Sequence, residues 1–531
     1  MPSPPNRAAQ LARASEIATV LWSSGFGWLV HAFGLSACVS WRCRLHCTFG
    51  LDQCEHHVGM DQPLPDRLTQ VLERLGPTFV KAGQMLALRP DYIPLEYAQA
   101  LRRLHADVRP FDSGEAVATV EREFGARVED LFASFDGQPF AAASLSQVHL
   151  ALLPDGQRVA VKVQRPGVES QVAQDIALMR SLAARMERRK PTDWAVRPVA
   201  AVEEFARYTI RELDFRVEGR TCERVRDGFR DEPDVVIPRV HWTLTSRHVL
   251  TTDFVEGVHP QPAEDLIRLG IDPGKVLSTG ARAMVKQIFE HGLFHADPHP
   301  GNVLLLADNK VCFLDFGMFG QLDSRDRRRM ALLVWTLVNG DFDAVGDQLL
   351  GMSATTPQAD PEGFRLALGE VVADWFTGPA ATGSIAHVLL RELALGAQHG
   401  IVFPRQLMLL ARALVSLEAT AGVVDPALDL RALIEPFKDE LSSVLLPTPH
   451  NLAAGWREHR TVYAELALEL PELLAELAKT LVTRASPGEP LRPERGADRS
   501  GRIGRVAAFA AAAAAGVGAG EAVRRLGGHR G

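Results

Sequence analysis

The sequence predicts an α+β protein of two lobes, with a helical N-terminal extension and a C-terminal helical tail. Three observations carry that expectation. The run Gln147–Leu152 and the alternating Arg158–Val163 flank the turn signal Asp155-Gly156-Gln157, which makes a β-hairpin. Apolar residues at helical spacing dominate most of the rest, beginning with Leu68, Val71, Leu72 and Leu75. A β-rich patch at Asn302–Phe316 interrupts the otherwise helical second half.

Composition sets the outer limits. The 531 residues are 46% hydrophobic and 23% charged, an ordinary globular balance with enough chain for more than one domain. A net charge of −7 lacks the basic excess of a nucleic-acid binder. Six cysteines in so long a chain do not make a disulfide scaffold, so a reducing compartment is expected. No basic segment followed by an apolar core and a small-residue cleavage site opens the chain, which disfavours a signal peptide.

Residues 1–60 read as a leader. Glu16–Trp41 is apolar and long enough to span a bilayer, but its Ser, Gly and His content points instead to two short helices around a glycine turn, lying on the protein or on a membrane surface. Cys38, Cys43, Cys47 and Cys54 stand among three histidines, at irregular gaps and with no C-x-x-C, so no zinc site is expected. A helical extension covers 61–135, in which Thr78–Leu86 continues the first helix and 111–131 forms another. A smaller lobe follows at 136–257: a small-residue turn, the hairpin, helices over 167–222, and strands at Val235–Pro238 and His248–Val255. A helical lobe takes 258–485. Residues 486–500 read as a linker, and Val506–Gly520 as an uncharged, Ala-rich helix.

The chemistry concentrates in His295-Ala296-Asp297, Asn302 five residues after Asp297, and Asp315-Phe316-Gly317. In order and at these gaps they match the H-R-D-x-x-x-x-N and D-F-G loops of phosphotransferases. Magnesium takes hard oxygen ligands and keeps contact with phosphate, which suits Asn302 and Asp315; Asp297 can then orient or deprotonate a hydroxyl or water. Val159-Ala160-Val161-Lys162 resembles the strand whose lysine contacts phosphate oxygens, with Val161 and Val163 facing away from Lys162. Spacing alone leaves the acidic partner of Lys162 open among Glu169, Asp175, Glu212, Asp214 and Glu218. The fold class is therefore protein-kinase-like, with ATP and Mg2+ as expected cofactors.

Together the motifs resemble the UbiB/AarF atypical kinases of quinone biosynthesis, over roughly residues 62–445. Lys81-Ala82-Gly83-Gln84 is similar to the family's K-x-G-Q signature; Ala141-Ala142-Ala143-Ser144 to its alanine-rich loop; Glu212-Leu213-Asp214 to its E-x-D motif. The resemblance implies that Lys162 pairs with Glu218, and that the K-x-G-Q helix packs over the active site near Glu212 and excludes peptides. Lys81, Gln84, Glu212 and Asp214 would thus be regulatory, and the activity that of an ATPase or small-molecule kinase linked to lipid quinone precursors. Asp253 stands where the interlobe hinge usually has Glu, and the stretch through Val255 is expected to hold adenine by backbone contacts. Ser146 replaces a smaller residue after the loop, and Gly219 predicts a weak helix at Glu218.

The resemblance also implies association with the cytoplasmic side of a membrane, peripherally or through a single C-terminal span, and other quinone-biosynthesis enzymes as partners. Gly516 and Gly520, with Ala512, would suit close helix contact in a homodimer. Two alternatives stand beside this reading. A small-molecule phosphotransferase of the aminoglycoside or choline kinase type shares the loop at 295–302, and a non-catalytic ATP-sensing scaffold would keep the same residues.

Overall fold

The structure, a computed structural model, describes residues 7–39, 62–87, 89, 93–101, 103–104, 110–189, 197–339, 341–357, 359–377, 385–428 and 437. All of them belong to one compact unit, Met1–Asn451. Cys43, Cys47 and Cys54, the linker 486–500 and the Ala-rich Val506–Gly520 lie outside the described residues.

The N-terminal stretch forms α1 (Arg7–Ser23) and α2 (Gly27–Ala32), joined through Gly25, whose φ of 80° reverses the chain. Ala14, Ile17, Ala18 and Leu21 of α1 are buried with Val71 and Leu75 of α3 (Leu64–Leu75). Arg13 ties this face down, donating to Asp175 Oδ1 at 2.8 Å and to the Leu75 carbonyl at 2.6 Å. Leu11 and Trp28 remain 66% and 64% exposed.

The expectation of one continuous helix through Thr78–Leu86 is corrected. Gly76, at φ 92°, ends α3, and Pro77 begins α4 (Pro77–Leu86), because a proline lacks the N–H a continuing helix would need but fits a first turn. α5 (Leu95–Leu101) crosses α4 at Gly83. A Cβ on Gly83 would lie 2.3 Å from Leu104 Cδ1 and 2.7 Å from Leu72 Cδ1, so the glycine of K-x-G-Q is a packing requirement. Gly83→Ala is expected to cost about 1–2 kcal/mol of stability by overpacking, read by urea unfolding. Equal stability would mean that the leucine ends swing clear.

Residues 111–131 also divide. α6 (Ser113–Phe124) is capped by the Asp112 carboxylate and stopped by Gly125 in the left-handed region; α7 (Val128–Leu131) follows. The next sheet has the antiparallel order β1-β2-β3-β5, from β1 (Ser134–Ala142), β2 (Ser146–Leu152), β3 (Arg158–Gln164) and β5 (Val249–Asp253). Sequence reasoning misses β1 and reads its end as a turn. The strand pairs irregularly around Pro139, which an edge strand tolerates and an alternating pattern does not reveal. Ala141 and Ala142 are therefore strand residues, and the turn is Ala143–Leu145, closed by Ala143 N–H donating to the Ser146 carbonyl at 2.8 Å. None of these alanines has a positive φ, so the turn does not require glycine.

In β3, Val159, Val161 and Val163 are fully buried against Ala116 and Val120 of α6, which turns Lys162 to the opposite face. Two helices, α8 (Val168–Arg189) and α9 (Pro198–Glu212), then separate β3 from α10 (Phe215–Gly228). α10 runs unbroken through Gly219. A Cβ there would meet Trp242 at 3.1 Å and Leu250 at 3.4 Å, so close approach, not helix weakness, explains the residue.

The second lobe holds α11 (Ala263–Arg268), α12 (Pro273–Lys286), α13 (Ser324–Asn339), α14 (Phe342–Met352), α15 (Pro361–Thr377), α16 (Ile385–Gln398) and α17 (Arg405–Val424) around one apolar core. Its strands exceed the expected patch. β7 (Val303–Leu305) and β8 (Val311–Phe313) join β4 (Val235–Val236), while β6 (Leu293–His295) pairs with β9 (Phe319–Gln321) and β10 (Ala354–Thr355) with β11 (Ile401–Val402). The added strands have two or three residues each, too short for periodicity to detect.

Candidate functional site

β3, α10, the loop 295–302 and the turn after β8 converge on a cavity of about 640 Å³. Lys162 Nζ donates to both oxygens of Glu218, at 2.8 and 3.0 Å, and lies 3.5 Å from Asp315 Oδ1. Glu218 is presented from the first turn of α10, whose N-terminus the Asp214 side chain caps. Burial alone would discharge Lys162, but Asp315 and Glu218 outweigh it and raise its proton affinity. Burial likewise opposes ionisation of Asp315, and is outweighed by Lys162 and by the Gly317 N–H, which hold this carboxyl far below its usual range. Glu218 is pushed the other way, upward, chiefly by burial.

Asp315 sits at φ 52°, a left-handed conformation that few residues besides glycine, asparagine and aspartate adopt. Two contacts hold it: Gly317 N–H donates to Asp315 Oδ1 at 3.1 Å, and Leu314 N–H to the Asn302 carbonyl at 2.8 Å. The Asn302 side-chain amide donates to the Asp297 carbonyl at 3.1 Å, and Asn302 Oδ1 has no hydrogen-bond partner among the described residues. Nearly half of the Asp315 side chain faces the cavity. An open amide oxygen and an open carboxylate fit magnesium, which takes few protein ligands and fills the rest of its shell with phosphate and water.

His295 is buried and joins the two loops. Its Nδ1 accepts from Asp297 N–H at 3.0 Å and its Nε2 donates to the Leu314 carbonyl at 2.9 Å, an arrangement that a neutral ring satisfies. Burial lowers its proton affinity in keeping with that tautomer. Asp297 has both carboxylate oxygens engaged by α17: Arg412 Nη2 donates to Oδ2, and Ser416 Oγ to Oδ1 at 2.9 Å. Thr420 Oγ donates to the neighbouring Pro298 carbonyl at 2.7 Å. Burial works against the Asp297 carboxylate, but Arg412, His299 and Ser416 keep its pKa low.

The far wall comes from the N-terminal extension. Lys81 Nζ is 2.5 Å from Glu212 Oε1, and Gln84 Nε2 donates to the Leu104 carbonyl at 3.1 Å. Lys81, Gln84, Glu212, Ala143, Ser144, Lys162, Glu218, Asp297, Asn302 and Asp315 all line the one cavity. Ala141, Ala142, Asp214, Asp253 and Val255 are not among its lining residues. The Asp253 carboxylate instead accepts from Gln157 Nε2 at 2.6 Å and contacts His241 Nε2 at 2.7 Å, and that of Asp214 is bound to Arg216.

Sequence reasoning does not reach Arg412, Ser416 and Thr420. A signal exists: three polar residues four apart on a mostly apolar helix form one stripe. Among the described residues, α17 is the helix long and apolar enough to cross a membrane, yet ten of its residues are buried in the protein.

Comparisons with known family models and curated proteins agree with the kinase-like fold class. Residues 103–349 match the model of the ABC1 atypical kinase-like domain, and residues 368–429 that of the UbiB helical domain, which contains α17. The chain is 32% identical to a probable protein kinase UbiB of Marinobacter nauticus over 77% of this chain and 75% of that one. It is 32% identical to the protein of the same name from Xylella fastidiosa, over 79% and 75%. A solved chain, Rv3197 of Mycobacterium tuberculosis in complex with erythromycin, is 22% identical over 70% of this chain and 94% of that chain, with a TM-score of 0.46.

Proposed function

Because this chain belongs to the UbiB/ABC1 family of atypical kinase-like proteins, we propose that it binds magnesium-ATP in the 640 Å³ cavity and transfers or hydrolyses the γ-phosphoryl group in support of isoprenoid quinone synthesis at a membrane. One observation carries the reading. Lys162, paired with Glu218, stands within reach of Asp315 while Asn302 and Asp297 line the same space.

Lys162 binds phosphate oxygens, and Glu218 fixes the reach of its ammonium group. Asn302 and Asp315 hold the metal, and Asp297 orients the attacking oxygen. A magnesium ion bound there supplies a hard positive charge that neutralises charge on the phosphate oxygens. Ala143 and Ser144, which line the cavity, cover the phosphates.

The buried Lys81–Glu212 pair and the α4–α5 wall leave little room for a polypeptide, which favours water or a small acceptor over a protein. The quinone link rests on the UbiB relatives. Membrane contact rests on them and on exposed Leu11 and Trp28, large apolar side chains on the N-terminal helices.

The test is phosphate release by the purified protein with and without anionic lipid vesicles, beside Asp297→Asn. Release that lipid stimulates and the substitution abolishes is the expected result. An Asp297→Asn protein as active as wild type would overturn the assignment.

A further inference from the structure

Both oxygens of Asp297 are taken by side chains of α17, from a region outside the match to the ABC1 domain. Arg412 and Ser416 lie one helical turn apart, and Thr420, a turn further, grips the carbonyl of Pro298. One face of one helix therefore fixes the loop that carries Asp297. Arg412 is itself only 12% exposed in its side chain, and its Nη1 is buried without a hydrogen-bond partner among the described residues. Removing a guanidinium from water is expensive, and so is leaving one of its donors unpaired, which makes this contact too costly to be incidental packing.

Resting on the proposed phosphoryl-transfer reading, we propose that Arg412 and Ser416 are positioning residues that aim the Asp297 carboxylate, so that the helical region sets the working geometry of the catalytic loop. A carboxylate with a guanidinium on one oxygen and a hydroxyl on the other is a poor proton acceptor but a well-aimed one. That suits transfer through a loose transition state, which asks more of positioning than of basicity.

Of the cationic side chains that line the cavity, Lys81, Lys162 and Arg412, it is Arg412 that contacts the Asp297 carboxylate.

The experiment is steady-state ATP turnover by wild type, Arg412→Gln, Arg412→Lys and Ser416→Ala, with magnesium-ATP affinity and thermal stability measured alongside. Arg412→Gln is expected to lose about tenfold in kcat while binding nucleotide as wild type does, Arg412→Lys to recover part of that loss, and Ser416→Ala to lose about threefold. An unchanged kcat in the folded Arg412→Gln and Ser416→Ala variants, or a loss that falls on nucleotide affinity and not on kcat, overturns the inference. Should Arg412→Gln not fold, Ser416→Ala decides alone. Asp297→Asn separates the two claims: if it is inactive while the α17 variants turn over as wild type does, only the positioning role fails; if it is fully active, the underlying reading fails.

Discussion

Asp315→Asn is expected to weaken magnesium-dependent ATP binding by about 100-fold, equivalent to about 2.7 kcal/mol, without unfolding the protein. Asp315 combines three features that seldom coincide. Its carboxylate is held ionised by Lys162, its open face looks into the cavity, and its backbone occupies the left-handed region. Asparagine tolerates that backbone better than most residues, so the substitution removes a charge while sparing the turn. What disappears is one hard anionic ligand, together with one of the two carboxylates that anchor Lys162. The measurement is nucleotide titration with magnesium and with EDTA. Wild type in EDTA should bind about as poorly as the variant in magnesium. An unchanged magnesium-ATP affinity would remove Asp315 from the metal site.

The second large effect is on stability. Glu392 of α16 is fully buried in the helical lobe, and both of its carboxyl oxygens lack a hydrogen-bond partner among the described residues. Burial pushes its pKa up to about 8 from an ordinary 4.5. The sign follows from linkage. The folded state keeps the proton to higher pH than the unfolded chain does, so the group's cost is absent below about 4.5, grows as pH rises, and levels off above about 8. Over the span from 4.5 to neutrality that cost amounts to about 3 kcal/mol. Glu392→Leu, of similar volume, is expected to stabilise the protein by about that much at pH 8 and by far less at pH 5. Urea unfolding at the two pH values checks it. A gain independent of pH, or a loss at pH 8, would show that the carboxyl has a partner or a role that its surroundings do not reveal.

Much of the site was legible before the fold. His295, Asp297, Asn302 and Asp315 are bound by the geometry of two adjacent loops, so their sequence gaps carry most of the spatial information. Lys162 was legible because alternating valines on a strand dictate which way the lysine points. Its partner was not, because two helices intervene between β3 and α10, and spacing cannot choose among five acidic residues across such an insertion. The family resemblance was needed to name Glu218. Strand β1 was lost to an irregular register around Pro139, and the helix boundary at Gly76-Pro77 to apolar spacing that runs on across the break.

What the sequence determined by itself was the candidate chemistry: a lysine proposed to contact phosphate, two proposed oxygen ligands and a proposed orienting carboxylate, each carried by a motif whose members are near neighbours in the chain. What only the tertiary structure decided was the company these groups keep. Lys81 meets Glu212 across 131 residues, and Arg412 meets Asp297 across 115. Such contacts depend on how helices pack, which is set by the shape of whole apolar faces. No local pattern records which polar residue on one face will stand opposite which on another.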